Sequence, residues 1–269
     1  MRIVILTYES LYANTMTHAL IQARPGQVVG IVRSDCLVYR KSLAGGLWFL
    51  LRRTGWRFVG RKALELFQSR AVAILYRLVG RPLKTPSLRE IKARYGIPVV
   101  GSKDVNDART MAIIRGWRPD LVISIYLNQL IKRELIQLPR LGCLNIHPAL
   151  LPRNRGLFPY FWAIANGEPE TGVTLHWVDE KFDTGDILLQ EVLPIEPGDT
   201  MTSLQYKSAQ VGADMLVRGV TLVEAGEAPR IPQDSSQATY YSWPRPADQR
   251  RFRQRGGEYG TVFELMEYM

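Results

Sequence analysis

Apolar residues in this chain fall into short runs, and successive runs are spaced widely enough to leave room for a helix between them. Runs of four to seven apolar or alternating residues predict strands at 2–6, 28–32, 97–100, 121–125, 143–146, 173–178 and 187–193. Apolar positions recurring at three and four predict helices at 14–23, 104–116, 129–137, 158–166 and 202–225. Strands alternating with helices favour an α/β fold, a mostly parallel Rossmann-like sheet with helices on both faces. No internal repeat and no low-complexity tract interrupts the pattern.

The first turn narrows the class. Thr7-Tyr8-Glu9-Ser10-Leu11-Tyr12 contains no glycine, so it lacks the loop that lets a backbone approach a phosphate at a helix N-terminus. A dinucleotide-binding Rossmann enzyme is disfavoured. Chemistry concentrates instead in Cys143-Leu144-Asn145-Ile146-His147-Pro148-Ala149-Leu150-Leu151-Pro152 and, further on, in Phe182-Asp183-Thr184-Gly185-Asp186. An amide, an imidazole and a carboxylate stand there at the ends of two predicted strands, where an α/β sheet presents its reactive groups. Asn145 and His147 alternate on one strand, so both side chains point to the same face. Such a set suits acyl transfer to an amine, which needs a donor for the carbonyl oxygen and an acceptor for the amine proton. Taken singly, each member has a plainer reading. His147 is then a packing residue, Asn145 a partner for a strand-end backbone group, and Asp183 a turn former.

Several ordered motifs together resemble the folate-dependent formyltransferases, the family of glycinamide ribonucleotide formyltransferase, methionyl-tRNA formyltransferase and the sugar N-formyltransferases. The matching text is Pro139-Arg140-Leu141-Gly142-Cys143-Leu144-Asn145-Ile146-His147-Pro148, Leu150-Leu151-Pro152-Arg153, Arg155-Gly156, Thr171-Gly172-Val173-Thr174 and Asp183-Thr184-Gly185-Asp186-Ile187. Asn145 and Asp183 are 38 positions apart, as the resemblance leads one to expect, and the similarity covers roughly 95–195. It implies a formyltransferase fold and Asn145, His147 and Asp183 as catalytic residues. Asn145 and His147 would hold the oxyanion, while Asp183 pairs with His147 and positions a water that relays the proton. It also implies 10-formyltetrahydrofolate as co-substrate, its pterin recognised by main-chain groups of two loops. Those loops fall at Leu127, Asn128, Gln129 and Leu130, and at Val178, Asp179, Glu180, Lys181 and Phe182. Leu127-Asn128 departs from the Tyr-Gly or Phe-Met pair common in the family. The glycine-free first turn argues against a ribonucleotide phosphate bound there.

Composition adds compartment and size. With 269 residues and 46% hydrophobic content, the chain can bury a full core without metal or disulfide. Cys36 and Cys143, outside any Cys-x-x-Cys or Cys/His array, suggest a reducing compartment and no structural metal. The start lacks a signal-peptide layout, and no apolar run reaches the ~18 residues of a membrane span. A cytoplasmic location is expected, with a catalytic domain over 1–230 and a C-terminal extension over 231–269.

Charge singles out one region. Residues 40–94 hold fourteen Lys/Arg against Glu65 and Glu90, a local charge of +12 that exceeds the +10 of the whole chain. With Trp48, Phe49, Trp56, Phe58 and Phe67 interleaved, this insert reads as two amphipathic helices with a cationic face. Three readings compete: a helical cap with solvated arginines, attraction for an anionic substrate or RNA, and peripheral docking on the inner face of a membrane.

Smaller features complete the expectation. Phe158, Tyr160, Trp162 and Trp177 read as core or cleft wall, and His176 as structural; His18 has no motif around it. Arg153 and Arg155 either clamp an anionic substrate or solvate their loop. Residues 238–252 resemble the segment that wraps back toward substrate in the family, and the chain ends at Met269, too soon for an additional β-barrel. The expected activity is N-formyl transfer to a small-molecule primary amine, an amino sugar ahead of aminoacyl-tRNA. A formyltetrahydrofolate hydrolase and a noncatalytic, membrane-associated homologue are the alternatives. Nothing in the sequence sets an oligomeric state.

Overall fold

The structure is a computed structural model that describes residues 1–80 and 83–268. The chain runs β1 (Ile3–Thr7), α1 (Leu11–Ala23), β2 (Val28–Ser34), α2 (Leu43–Thr54), α3 (Trp56–Leu78), α4 (Leu88–Tyr95), β3 (Val99–Ser102) and α5 (Ala108–Gly116). It continues through β4 (Leu121–Ile125), α6 (Arg133–Ile136), β5 (Cys143–His147), β6 (Arg155–Gly156), α7 (Pro159–Asn166), β7 (Glu170–Trp177) and β8 (Ile187–Pro194). The last elements are α8 (Met201–Ala225), β9 (Tyr240–Tyr241), α9 (Pro246–Gln254) and α10 (Val262–Tyr268).

Seven strands form one sheet in the order β3-β2-β1-β4-β5-β7-β8. Pairing is parallel from β3 through β5 and turns antiparallel at the β5–β7 and β7–β8 contacts. The mostly parallel sheet expected from the sequence is present. Alternation along each strand fills two cores. Ile3, Ile5, Leu144, Ile146, Val173 and Leu175 join Met16, Leu20, Leu216 and Val220 of α1 and α8 on one face. Val4, Leu6, Val122 and Cys143 join Met111, Ile114 and Leu135 on the other. Helix α8 can lie close to β7 because Gly219 has no Cβ, which would overlap the Leu175 side chain. A third, aromatic cluster holds the C-terminal segment in place, with Phe252 of α9 stacked on Phe161 of α7 at a centroid distance of 4.7 Å.

Two helices are shorter than their periodicity predicts, for tertiary reasons. The helix expected over 129–137 survives only as Arg133–Ile136. Gln129 spends its amide on the Val105 N–H and Ser34 Oγ, while Asn106 takes the Leu130 carbonyl and the Lys132 N–H, so this stretch is tied to β2 and the β3–α5 loop instead of to itself. The helix expected from 104 begins at Ala108, because Asp104 accepts from the Asn106 N–H and Asp107 caps the Thr110 N–H.

Most of the basic insert forms the two expected helices, α2 and α3, joined at Gly55, and its C-terminal end forms a third, α4. Its C-terminal part is not an appendage: α4 buries Leu88 and Ile91 in the sheet core and carries a Ser87–Glu90 capping box. Helix α3 turns Phe58, Glu65, Val72 and Tyr76 toward the protein, and Trp56, Ala63, Phe67, Ile74 and Leu78 toward solvent.

Candidate active site

The site grows from the sheet's change of direction. On β5, Cys143, Asn145 and His147 point to one face while Leu144 and Ile146 enter the opposite core. The antiparallel register with β7 sets Asn145 against His176 and His147 against Thr174. Between β7 and β8 the chain turns through Asp183 at φ +56, a left-handed conformation that Asp tolerates better than most residues. That loop is closed by Asp179, which accepts from Thr184 Oγ1 at 2.6 Å and from the Lys181 N–H at 3.1 Å.

Asp183 thereby reaches both β5 residues. Its Oδ1 accepts from Asn145 Nδ2 at 3.3 Å and lies 3.6 Å from His147 Nδ1 and 3.7 Å from His176 Nε2. Its Oδ2 accepts from the Gly156 N–H at 2.9 Å. Burial alone would raise this carboxyl's pKa, but His147, His176 and the Gly156 N–H together outweigh it and bring the pKa down to about 2. Asp183 is a carboxylate at neutral pH.

Each imidazole has one nitrogen fixed by a carbonyl, which can only accept. His147 Nε2–H donates to the Asn154 carbonyl at 3.0 Å, so Nδ1 is the nitrogen that faces Asp183. His176 Nδ1–H donates to the Trp177 carbonyl at 2.7 Å, leaving Nε2 to accept from Asn145 Nδ2 at 3.0 Å. The Asn145 amide therefore has one hydrogen on His176 and the other directed at Asp183. Both imidazoles are buried.

A narrow cleft of about 50 Å³ opens beside this cluster, lined by Leu127, Gln129, Leu130, Ile131, Val178, Asp179, Lys181 and Phe182, with Ser124, Asn145, His176 and Asp183 also in its wall. That volume is below the roughly 300 Å³ of ordinary ligand sites, so a ring system enters only if the two flanking loops part. Of the two loops predicted to hold a pterin, Leu127, Gln129 and Leu130 from the first and Val178, Lys181 and Phe182 from the second face the space. Asn128 and Glu180 do not line it. Asn128 turns away to accept from Ser34 Oγ and donate to the Cys36 carbonyl, and Glu180 pairs at the surface with Arg133, 3.7 Å away. His147 is also outside the cleft wall; its neighbours are Asp183 and the Asn154 carbonyl. Leucine and phenylalanine form the sides of the cleft, and polar groups form one end.

Two participants escape sequence reasoning. His176, read there as structural, is the acceptor that orients Asn145; its alternation on β7 is visible, but its partner depends on an antiparallel register that the sequence does not state. Gln233, from the C-terminal segment, donates to the Asp183 and Gly185 carbonyls at 3.0 and 2.7 Å and accepts from Arg155 Nη2 at 2.7 Å. Arg155 is accordingly buried, neither clamp nor solvated loop, and Arg153 meets Glu170 at 3.5 Å near the surface. Tyr240 belongs to β9, which pairs with β6 in parallel, so the segment after the sheet does wrap back to the site. Its hydroxyl pKa is raised by partial burial and by the charge of Asp183, while 59% of the residue stays exposed.

The formyl transferase family model matches residues 83–220, and the chain belongs to that family. Methionyl-tRNA formyltransferases of Syntrophus aciditrophicus and Moorella thermoacetica are each 40% identical to it over 161 residues, which is 60% of this chain and 52% of theirs. The chain spans about half the length of these curated relatives. Among solved structures, phosphoribosylglycinamide formyltransferase from Anaplasma phagocytophilum shares the fold at a TM-score of 0.59 and 19% identity, over 90% of this chain and 98% of that one. An N-formyltransferase from Helicobacter canadensis, in complex with folinic acid and dTDP-3-aminofucose, does so at a TM-score of 0.57 and 17% identity, over 90% and 71%.

Proposed function

We propose that this chain transfers a formyl group from 10-formyltetrahydrofolate to the primary amine of an amino sugar carried on a nucleotide or lipid phosphate. The observation that carries the reading is the convergence of Asn145 and His147 on Asp183, with Asn145 and Asp183 in the wall of the cleft and His147 behind them. The reduced folate supplies the formyl carbon when bound; Leu127, Leu130, Val178, Lys181 and Phe182 would hold it. Asn145 presents its amide hydrogens to negative charge developing on a carbonyl oxygen, and its longer contact, to Asp183, is the one released for that purpose. His147, with Nε2–H fixed on Asn154, keeps Nδ1 for the proton that moves. Asp183 stays ionised and holds the imidazole charge and the leaving proton within reach.

Asp183 divides the site in two. Asn145 and His176 lie with Oδ1 on the cleft side, whereas Oδ2 is bound to Gly156, whose strand pairs with β9 and its exposed Tyr240. An aromatic ring at that rim favours an acceptor with a sugar or base face to stack on. A second reading, an aminoacyl-tRNA acceptor, is favoured by the 40% identity to methionyl-tRNA formyltransferases and by the +10 charge. Incubation with donor and a panel of nucleotide amino sugars, initiator aminoacyl-tRNA and glycinamide ribonucleotide, read by mass for one added formyl group, tests both. Formate release without any amine indicates a hydrolase instead.

A further inference from the structure

Helix α3 is amphipathic in the inverted sense. Its outward positions include Trp56, Ala63, Phe67, Ile74 and Leu78, spaced by seven and four, with Arg57 and Arg70 exposed among them; Trp56, Phe67 and Leu78 are exposed by 72, 69 and 79%. The inward face is the more polar one, since Glu65 and Tyr76 share it with Phe58 and Val72. Helix α2 repeats the arrangement: Gly46, Leu50 and Thr54 are buried while Leu43, Leu47, Trp48 and Leu51 face out. A surface helix that spends its apolar side on water has a partner for that side.

The charges around these stripes identify the partner. Arg52 stacks on Trp48 at 4.8 Å and Arg57 on Trp56 at 5.4 Å, and Arg52, Arg57 and Arg70 meet no carboxylate among the described residues. The single acid on the two helices, Glu65, is taken by Lys62 at 2.7 Å and Arg61 at 3.6 Å on the inward side. Exposed leucine and isoleucine gain nothing from a sugar-phosphate backbone, so RNA does not account for the stripe. A second copy, docked face to face, would bring two strongly basic inserts together. Among the described residues no helix is long and apolar enough to cross a membrane. Helices with tryptophan, phenylalanine and leucine on one side, flanked by unpaired arginine, lie in the plane of lipid headgroups.

We infer that the outward faces of α2 and α3 form a docking surface for an anionic phospholipid bilayer. The inference stands apart from the proposed activity, because none of these residues belongs to the cluster or the cleft. Flotation of the full chain with phosphatidylcholine vesicles and with mixed phosphatidylcholine–phosphatidylglycerol vesicles tests it. Co-flotation with the mixed vesicles, weakened by salt, is expected. Arg52→Glu/Arg57→Glu/Arg70→Glu and Trp48→Ser/Trp56→Ser/Phe67→Ser are each expected to lower bound protein by about tenfold or more. Their thermal unfolding and their turnover with a soluble acceptor should match wild type, which separates lost docking from lost folding. Failure to float with anionic vesicles overturns the inference, as does RNA binding or self-association through this surface in place of lipid binding. Binding that survives both triple variants overturns it too.

Discussion

Asn145 and His176 face each other across the one junction where the sheet changes from parallel to antiparallel, and the amide of the first donates to Nε2 of the second at 3.0 Å. The Asn145 amide is thus aimed by a neighbour on the adjacent strand. His176→Ala should lower kcat by about 10²-fold through loss of aim, with a smaller change in KM, while His176→Gln restores part of the rate. Steady-state kinetics on the three proteins check this; an unchanged kcat for His176→Ala would remove the histidine from the positioning role.

Asp183 ties stability to acid pH. Its pKa of about 2 in the folded chain lies below the ordinary 3.8, so the folded state binds fewer protons and the carboxylate stabilises it above about pH 4. That contribution, on the order of 2 kcal/mol, is lost as pH falls from about 4 toward 2. Asp183→Asn keeps an acceptor for the Gly156 N–H yet cannot titrate, so its unfolding free energy should vary less with pH over this window. Parallel melts at pH 5 and pH 3 give the comparison.

The C-terminal segment is expected to be part of the site. Gln233→Ala strips the Arg155 guanidinium of its acceptor and frees two carbonyls of the Asp183 loop, at a cost of roughly 1–3 kcal/mol. Differential scanning should report a lower Tm, and turnover should fall with it even under conditions where the variant is folded.

Much of this was legible beforehand. Seven apolar runs become the seven strands of the main sheet, the central ones buried on both faces, and Asn145 and His147 share a face by strand geometry alone. What escaped depends on contacts remote in sequence. The 129–137 segment has helical spacing, yet Gln129 and Leu130 are claimed by Ser34, Val105 and Asn106. Gln233 lies fifty positions from the loop it supports. For α3 the periodicity showed two faces without saying which one looks outward, and the apolar one does.

The cleft makes a binding prediction independent of chemistry. A stable reduced folate at about a hundredfold above its Kd should stabilise the protein by ~2.7 kcal/mol. Leu130→Trp, which fills the space between the two loops, should abolish that protection while leaving the unliganded Tm close to wild type. Equal protection of both proteins would place the folate elsewhere.

The central claim is that Asp183, Asn145 and His147 act together in formyl transfer to an amine. Its most direct test is the rate of formylated amine appearing by mass spectrometry, with wild type and Asp183→Asn both saturated with 10-formyltetrahydrofolate. Wild type should add a single formyl group to an amino sugar, and the variant should be slower by about 10²–10⁴-fold while still protected by folate. Near-equal rates for the two proteins, or no formylated amine from any acceptor in the panel, would contradict it.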